Sequence, residues 1–93
     1  MQRSTKLTFY VAEHYLAALI NFDYSGLEND EIGIVEGFYN EIHAQTPNGF
    51  EWGHLSVTNE QPEFRECEAS EKLADCVEVT AIYWNKKAYS TIF

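Results

Sequence analysis

The stretch that decides the fold is Ala74–Trp84, "ADCVEVTAIYW". It alternates with a period of two: Val77, Val79, Ala81 and Tyr83 fall on one side, Cys76, Thr80, Ile82 and Trp84 on the other. β-Branched and aromatic residues dominate it, as a pleated surface favours. Because both sides are largely apolar, the segment reads as a central strand, buried on one side by helices. A central strand needs a neighbour on each edge, and the remaining chain must supply them.

Just upstream, "PEFRECEA" (62–69) reads as a strand with Pro62 at its start, where a missing N–H is tolerated. "FEWGHLSV" (50–57) alternates weakly between Gly49 and Asn59. With the central strand these form a three-stranded antiparallel meander. "LTFYV" (7–11) fits either a short strand or the lead-in to a helix. From Ala12 to Asn21 the apolar residues Ala12, Tyr15, Leu16, Leu19 and Ile20 follow a helical period that Asn21 ends. "FDYSG" is a turn. A second helix starts near Glu28 or Asn29, with Asn29 as a good N-cap and Ser25–Glu28 as an alternative capping pair one turn earlier. Ile32, Val35, Phe38, Tyr39 and Ile42 make one apolar stripe, and "TPNG" (46–49) stops the helix. The fold class is therefore α+β, with two helices packed on a three-stranded antiparallel sheet in a single domain over 1–93.

Hydrophobic residues make up 45% of the 93 residues, enough to rule out a disordered chain. The formal net charge is −9. That excludes direct binding of nucleic acid, which needs clustered Lys and Arg, and docking on anionic membranes. The start of the chain is interrupted by Glu13, His14 and Asn21. No run reaches the roughly 18 apolar residues of a membrane span, and the segment does not read as a signal peptide. The expected location is cytoplasmic. There Cys67 and Cys76 read as half-buried thiols, although their separation suits facing positions on antiparallel strands.

The charges are unevenly laid out. Between Leu7 and Phe64 no Lys or Arg occurs, while ten carboxylates do: Glu13, Asp23, Glu28, Asp30, Glu31, Glu36, Glu41, Glu51, Glu60 and Glu63. Asp30 and Glu31 are explained by the helix dipole, which favours anions in the first turn. Glu36 and Glu41 are not. One explanation is a solvated surface that keeps the protein soluble. The sharper one is a recognition surface, gathered on one side, whose carboxylates imitate nucleic-acid phosphates and fill a basic groove of a partner. Gly33 and Gly37 lie opposite the apolar stripe, so either the first helix packs closely there or a partner does. Tyr24 and Trp52, near acid-rich loops, are the candidate aromatic anchors.

Catalytic and metal patterns are weak. His14, His43 and His54 are scattered, with no H-x-x-x-H or C-x-x-C pair. "DYSGLENDE" has oxygen side chains but not the spacing of a calcium loop. Ser25 lacks a nucleophile-elbow context. The expectation is a protein that is not an enzyme, with no catalytic residues, metal or cofactor.

The segment "NFDYSGLENDEIGIVEGFYNE", with "PEF" and "DCVEVTAIYW", resembles a family of small uncharacterised acidic proteins of bacterial, plasmid and phage genomes. Those carry an N-G-D-x-S-G-L-x-D-E-E-like stretch before a helix; Phe22 stands where their pattern has glycine. In size and acidity the chain is also similar to phage anti-CRISPR and antirestriction inhibitors. The motif resemblance implies no activity; the charge layout, with which the likeness in character agrees, gives the leading expectation of a non-enzymatic inhibitor that occupies a basic nucleic-acid-binding surface of a host defence complex, through Glu28, Asp30, Glu31, Glu36, Glu41, Tyr24 and Trp52. The alternative is a self-associating domain, such as a homodimer, or an adaptor, with a small enzyme as the remaining option.

Overall fold

The computed structural model describes residues 2–68 and 73–87. Its elements are strand β1 (Ser4–Ala12), a single 3-10 turn (Glu13–Tyr15), helix α1 (Leu16–Asn21), helix α2 (Asn29–Ala44), strand β2 (Phe50–Glu66) and strand β3 (Leu73–Asn85). The sheet has three antiparallel strands in the order β1-β3-β2. The fold is α+β, with two helices and a three-stranded antiparallel sheet. No helix among the described residues is long and apolar enough to cross a membrane.

β3 is central, as expected, and one of its sides meets the helices. Val77, Val79, Ala81 and Tyr83 are buried almost completely. Phe9 and Val11 of β1 and Val57 of β2 stand opposite Val79 and Val77 in register and complete the layer. On the second side Cys76 and Thr80 are buried, while Ile82 and Trp84 are half-buried.

Two parts of the expected meander are corrected. "LTFYV" belongs to β1, which supplies an edge of the sheet; Thr8 and Tyr10 point to the second side, Leu7, Phe9 and Val11 to the core. The segments 50–57 and 62–69 are not two strands. Residues 50–66 form one long strand whose register shifts between Trp52 and His54, Val57 and Asn59, and Asn59 and Glu63. The first two shifts each add one residue and reset the inside–outside alternation, and the third adds two residues and interrupts the pairing, which is why the sequence pattern looked weak. Ala69 lies outside the described residues. The bulge at Gly53 requires glycine. A Cβ there would come within 2.6 Å of the Ile82 carbonyl oxygen and run into the Trp84 indole.

α1 is shorter than the periodicity suggested, because Ala12 still belongs to β1 and the 3-10 turn occupies the next three residues. α2 lays Val35, Phe38 and Ile42 on the sheet, each buried. Each contributes about 1.5–3 kcal/mol relative to leaving it exposed. The Phe38 ring meets Phe9 edge-on at 5.5 Å. The Tyr83 hydroxyl donates to the Ile42 carbonyl at 2.6 Å, tying the last turn of α2 to the middle layer. Burial pushes the Tyr83 phenol above its ordinary pKa.

The expectation of free thiols is also corrected. Cys67 and Cys76 are joined in a disulfide, with Cα atoms 6.3 Å apart. Cys76 faces Glu63 in the ladder, and Cys67 lies past the end of β2. The main chain turns back there, so that the Glu68 N–H donates to the Tyr10 carbonyl at 2.8 Å.

Candidate functional site

α2 is capped by Glu28 rather than by Asn29 or Ser25. Glu28 and Glu31 form a capping box, and the Glu28 N–H donates to the Glu31 carboxylate at 3.2 Å. Glu31 has a second task. Its other oxygen lies 3.0 Å from Nε2 of His14, just before α1. Of the acids proposed for partner binding, Glu31 is therefore turned inward and engaged. Asp30 receives the Glu31 N–H at 3.0 Å.

The other helix acids do not form a single row. At about 100° per residue, Glu36 and Glu41 project about 140° apart, on opposite flanks of the helix. Asp30 shares the Glu41 flank. Between the flanks lie Gly33 and Gly37, with open space where their Cβ atoms would be. α1 does not pack there, contrary to expectation; the glycines make a smooth outer ridge. From Glu28 to Glu41 the carboxylates extend along about 20 Å of helix. Between described residues the ion pairs are His14–Glu31 and Arg65–Glu63, the latter at 4.0 Å on β2. Glu28, Asp30, Glu36 and Glu41 are exposed and pair with no described cation. Lys72 lies outside the described residues.

Each flank borders a hollow. Glu41 and Glu68 stand at a cavity of about 370 Å³ between α2 and β1, with Phe9, Ile34 and Phe38 in its wall. On the Glu36 side a recess of about 250 Å³ is lined by Phe22, Tyr39, Trp52 and Leu55. The rings beside it form a ladder. Phe22 meets Tyr39 at 5.9 Å, Tyr39 meets Trp52 at 5.8 Å, and Trp52 meets Tyr83 at 5.7 Å, each steeply tilted. Trp52, expected as an exposed anchor, is half-buried in this ladder. Tyr24, the other expected anchor, is half-buried and packs against the core.

Phe22 closes α1 in the left-handed conformation, with φ 57 and ψ 28. It is the one non-glycine residue with positive φ among the described residues. A side chain there costs roughly 1–2 kcal/mol relative to right-handed backbone, which glycine would avoid. The next residue, Asp23, accepts hydrogen bonds from the Ser25 hydroxyl at 2.7 Å and the Ser25 N–H at 3.1 Å. These hold its carboxyl below the usual carboxylate range. "DYSG" is thus an Asx-type turn.

The histidines are apart. His14 meets Glu31; the exposed His54 ring lies 6.0 Å from Trp84. His43 stacks against Tyr39 and Trp52, and its Nε2 is buried without a hydrogen-bond partner. Among the described residues no three His, Cys, Asp or Glu side chains converge as metal ligands. Sequence reasoning missed Phe22 and Tyr39 as parts of one surface. The only trace was Phe22 at a position that favours glycine. Comparison with family models, curated proteins and solved structures finds no match.

Proposed function

We propose that the protein is a small acidic binding domain, not an enzyme, that docks α2 and its flanks on a basic surface of a partner protein. A nucleic-acid-binding complex of a host defence system fits that description, and the domain would inhibit it by occupying the groove. The observation that carries the reading is the isolation of Glu28, Asp30, Glu36 and Glu41, which are exposed and have no described cation beside them. Ordinary soluble surfaces intersperse the two signs. Carboxylates on both flanks of a smooth glycine ridge suit a groove that takes the helix between two basic walls. The proposed place of action is the cytoplasm of a bacterial host. The Cys67–Cys76 bridge pulls against that, since disulfides are rare in reducing compartments.

The test is capture of partners from a bacterial lysate at low and high salt, followed by titration of the captured protein with the double variant Glu36→Lys, Glu41→Lys. Affinity should fall steeply with salt, and the variant should lose binding while its far-UV spectrum stays unchanged. Salt-insensitive binding, or an unaffected double variant, refutes the reading. A concentration-dependent dimer with no affinity for basic proteins supports self-association instead.

A further inference from the structure

β1 is an edge of the sheet and pairs with β3 in unbroken register over Ser4–Ala12. Tyr10 shows which of its backbone groups face outward. Its N–H donates to the Glu68 carboxylate at 2.7 Å and its carbonyl accepts the Glu68 N–H at 2.8 Å, both on the side away from β3. Alternate residues of an antiparallel edge strand share that direction, so Lys6 and Thr8 also turn their N–H and C=O outward. No described residue takes those groups. The opposite edge, β2, is broken by three register shifts and carries Pro62. Bulges and prolines are common ways to blunt an edge against added strands, and β1 has neither. Among the described residues only Glu68 closes it, at the Tyr10 end.

Beside this open edge runs the hollow of about 370 Å³ between β1 and α2. Phe9 and Phe38 form its floor, and Ile34 on its wall stays 40% exposed. Gly37, of a type disfavoured inside helices, leaves open space where a side chain would stand. Glu41 and Glu68 bring two carboxylates to the lining, and no described Lys or Arg joins them. From Ile34 to Gln45 the helix side of the hollow is about 16 Å long. That is the length of about five extended residues.

We propose that edge and hollow together receive an extended segment of the basic partner, which adds to β1 as a fourth strand of the sheet. Lys6 and Thr8 supply the ladder of hydrogen bonds. Alternate side chains of the segment then point towards α2. One is bulky and apolar and sits against Phe9, Ile34 and Phe38; the next on that side is Lys or Arg and meets Glu41 or Glu68. The side chains between them fall on the second side of the sheet beside the exposed Lys6, and are uncharged or acidic. A second copy of this chain is the poorer occupant. Two β1 edges paired about a two-fold axis would set α2 beside its own copy, carboxylate against carboxylate. The inference deepens the reading of α2 as a surface for a basic partner and rests on it, yet its test is separate.

The test is a titration of the ¹⁵N-labelled protein with the peptide acetyl-Thr-Ile-Thr-Arg-Thr-amide. The amides of Lys6, Thr8, Phe9, Ile34 and Gly37 should shift saturably, and those of Lys6 and Thr8 should exchange more slowly with solvent. The same peptide N-methylated on alternate residues keeps its side chains but loses the ladder, and should bind about fivefold or more weakly in whichever of the two phases blocks the edge. Thr8→Pro removes an outward N–H at a position where an edge strand tolerates proline, and should weaken binding likewise. Equal binding by both N-methylated phases overturns the proposal. So does equal binding by a peptide with norleucine in place of arginine, or the absence of shifts at Lys6 and Thr8. Deca-arginine, which has no apolar side chain for the hollow, separates the two readings. Loss of its binding on reversing Glu36 and Glu41, with no response of Lys6 and Thr8 to the pentapeptide, leaves the acidic surface standing and removes the added strand. A pentapeptide that pairs with β1, while deca-arginine ignores the reversal, does the opposite.

Discussion

Around Tyr10, on the second side of the sheet, the Arg65 guanidinium lies over the ring at 3.6 Å, and Glu78 accepts the phenol hydrogen at 3.1 Å. Glu68 takes the Tyr10 N–H at 2.7 Å, and Glu63 stands 4.0 Å from Arg65. On α2, Glu36 and Asp30 meet no described cation. Both regions are rich in acid, but only one is settled. On the sheet, register brings residues distant in sequence face to face: Glu78 and Glu68 are held by Tyr10, whose ring Arg65 covers while pairing with Glu63. On the helix, neighbours along the surface come from the same acid-only segment. Unmatched charge is thus a property of where α2 was cut from the sequence, and it persists because exposed repulsion is screened within about 8 Å at physiological salt.

The difference can be broken by removing the platform under α2. Phe38→Ala deletes a buried ring and should cost about 3–5 kcal/mol. That approaches the whole stability of a chain this small, so thermal melting should shift far down or vanish. A melting point within a few degrees of the parent would mean that α2 is held by something other than its stripe.

The next effect lies at the other region. The disulfide spans a sequence separation of 9. By loop entropy, removing it with Cys67→Ser and Cys76→Ser should cost about 2.5 kcal/mol. A urea midpoint that is indifferent to reductant would contradict this.

Tyr83→Phe leaves the Ile42 carbonyl without its donor and should cost about 1–3 kcal/mol. It also tests pH dependence. The Tyr83 pKa is raised by burial and the Tyr10 pKa chiefly by its hydrogen bond to Glu78, both above the ordinary 10.0 of a tyrosine. A raised folded pKa gives stability that is complete below pH 10 and lost as pH climbs through the folded value. The parent should therefore lose stability above pH 10, and Tyr83→Phe should lose it less steeply. Parallel denaturation curves against pH would refute that.

The smallest effect sharpens the contrast most. Glu36→Lys with Glu41→Lys should change stability by no more than about 0.5 kcal/mol. Added salt should raise the parent's melting point by screening repulsion, and raise the variant's less. Identical salt responses would mean that the α2 acids do not repel one another appreciably.

Much of the architecture could be read from residues alone, for physical reasons that also mark the limits. β3 was legible because burial on both sides leaves a long apolar alternation. α2 was legible because its stripe is unbroken from Ile32 to Ile42. β2 was not, since two register shifts reset its alternation and a third inserts two extra residues, making one strand look like two. β1 was ambiguous because its inner residues run directly into a 3-10 turn. At the site, the sequence exposed the excess of acid but not its direction. Glu31 is spent on His14, a pairing that only folding brings about. The ladder of Phe22, Tyr39 and Trp52 draws one ring from each of three segments, so no local pattern could announce it.

The order β1-β3-β2 also dictates a timetable. Both outer strands depend on β3, the last strand of the described chain, for their pairing. While a ribosome is still short of residue 73, β1 and β2 have no partner and the sheet does not exist. Assembly must then close in one late, cooperative event with long-range contacts, the kind of topology that folds slowly. Until then the nascent chain has only its two helices, and the repulsion among their acids gives neighbouring unfinished copies a reason to stay apart.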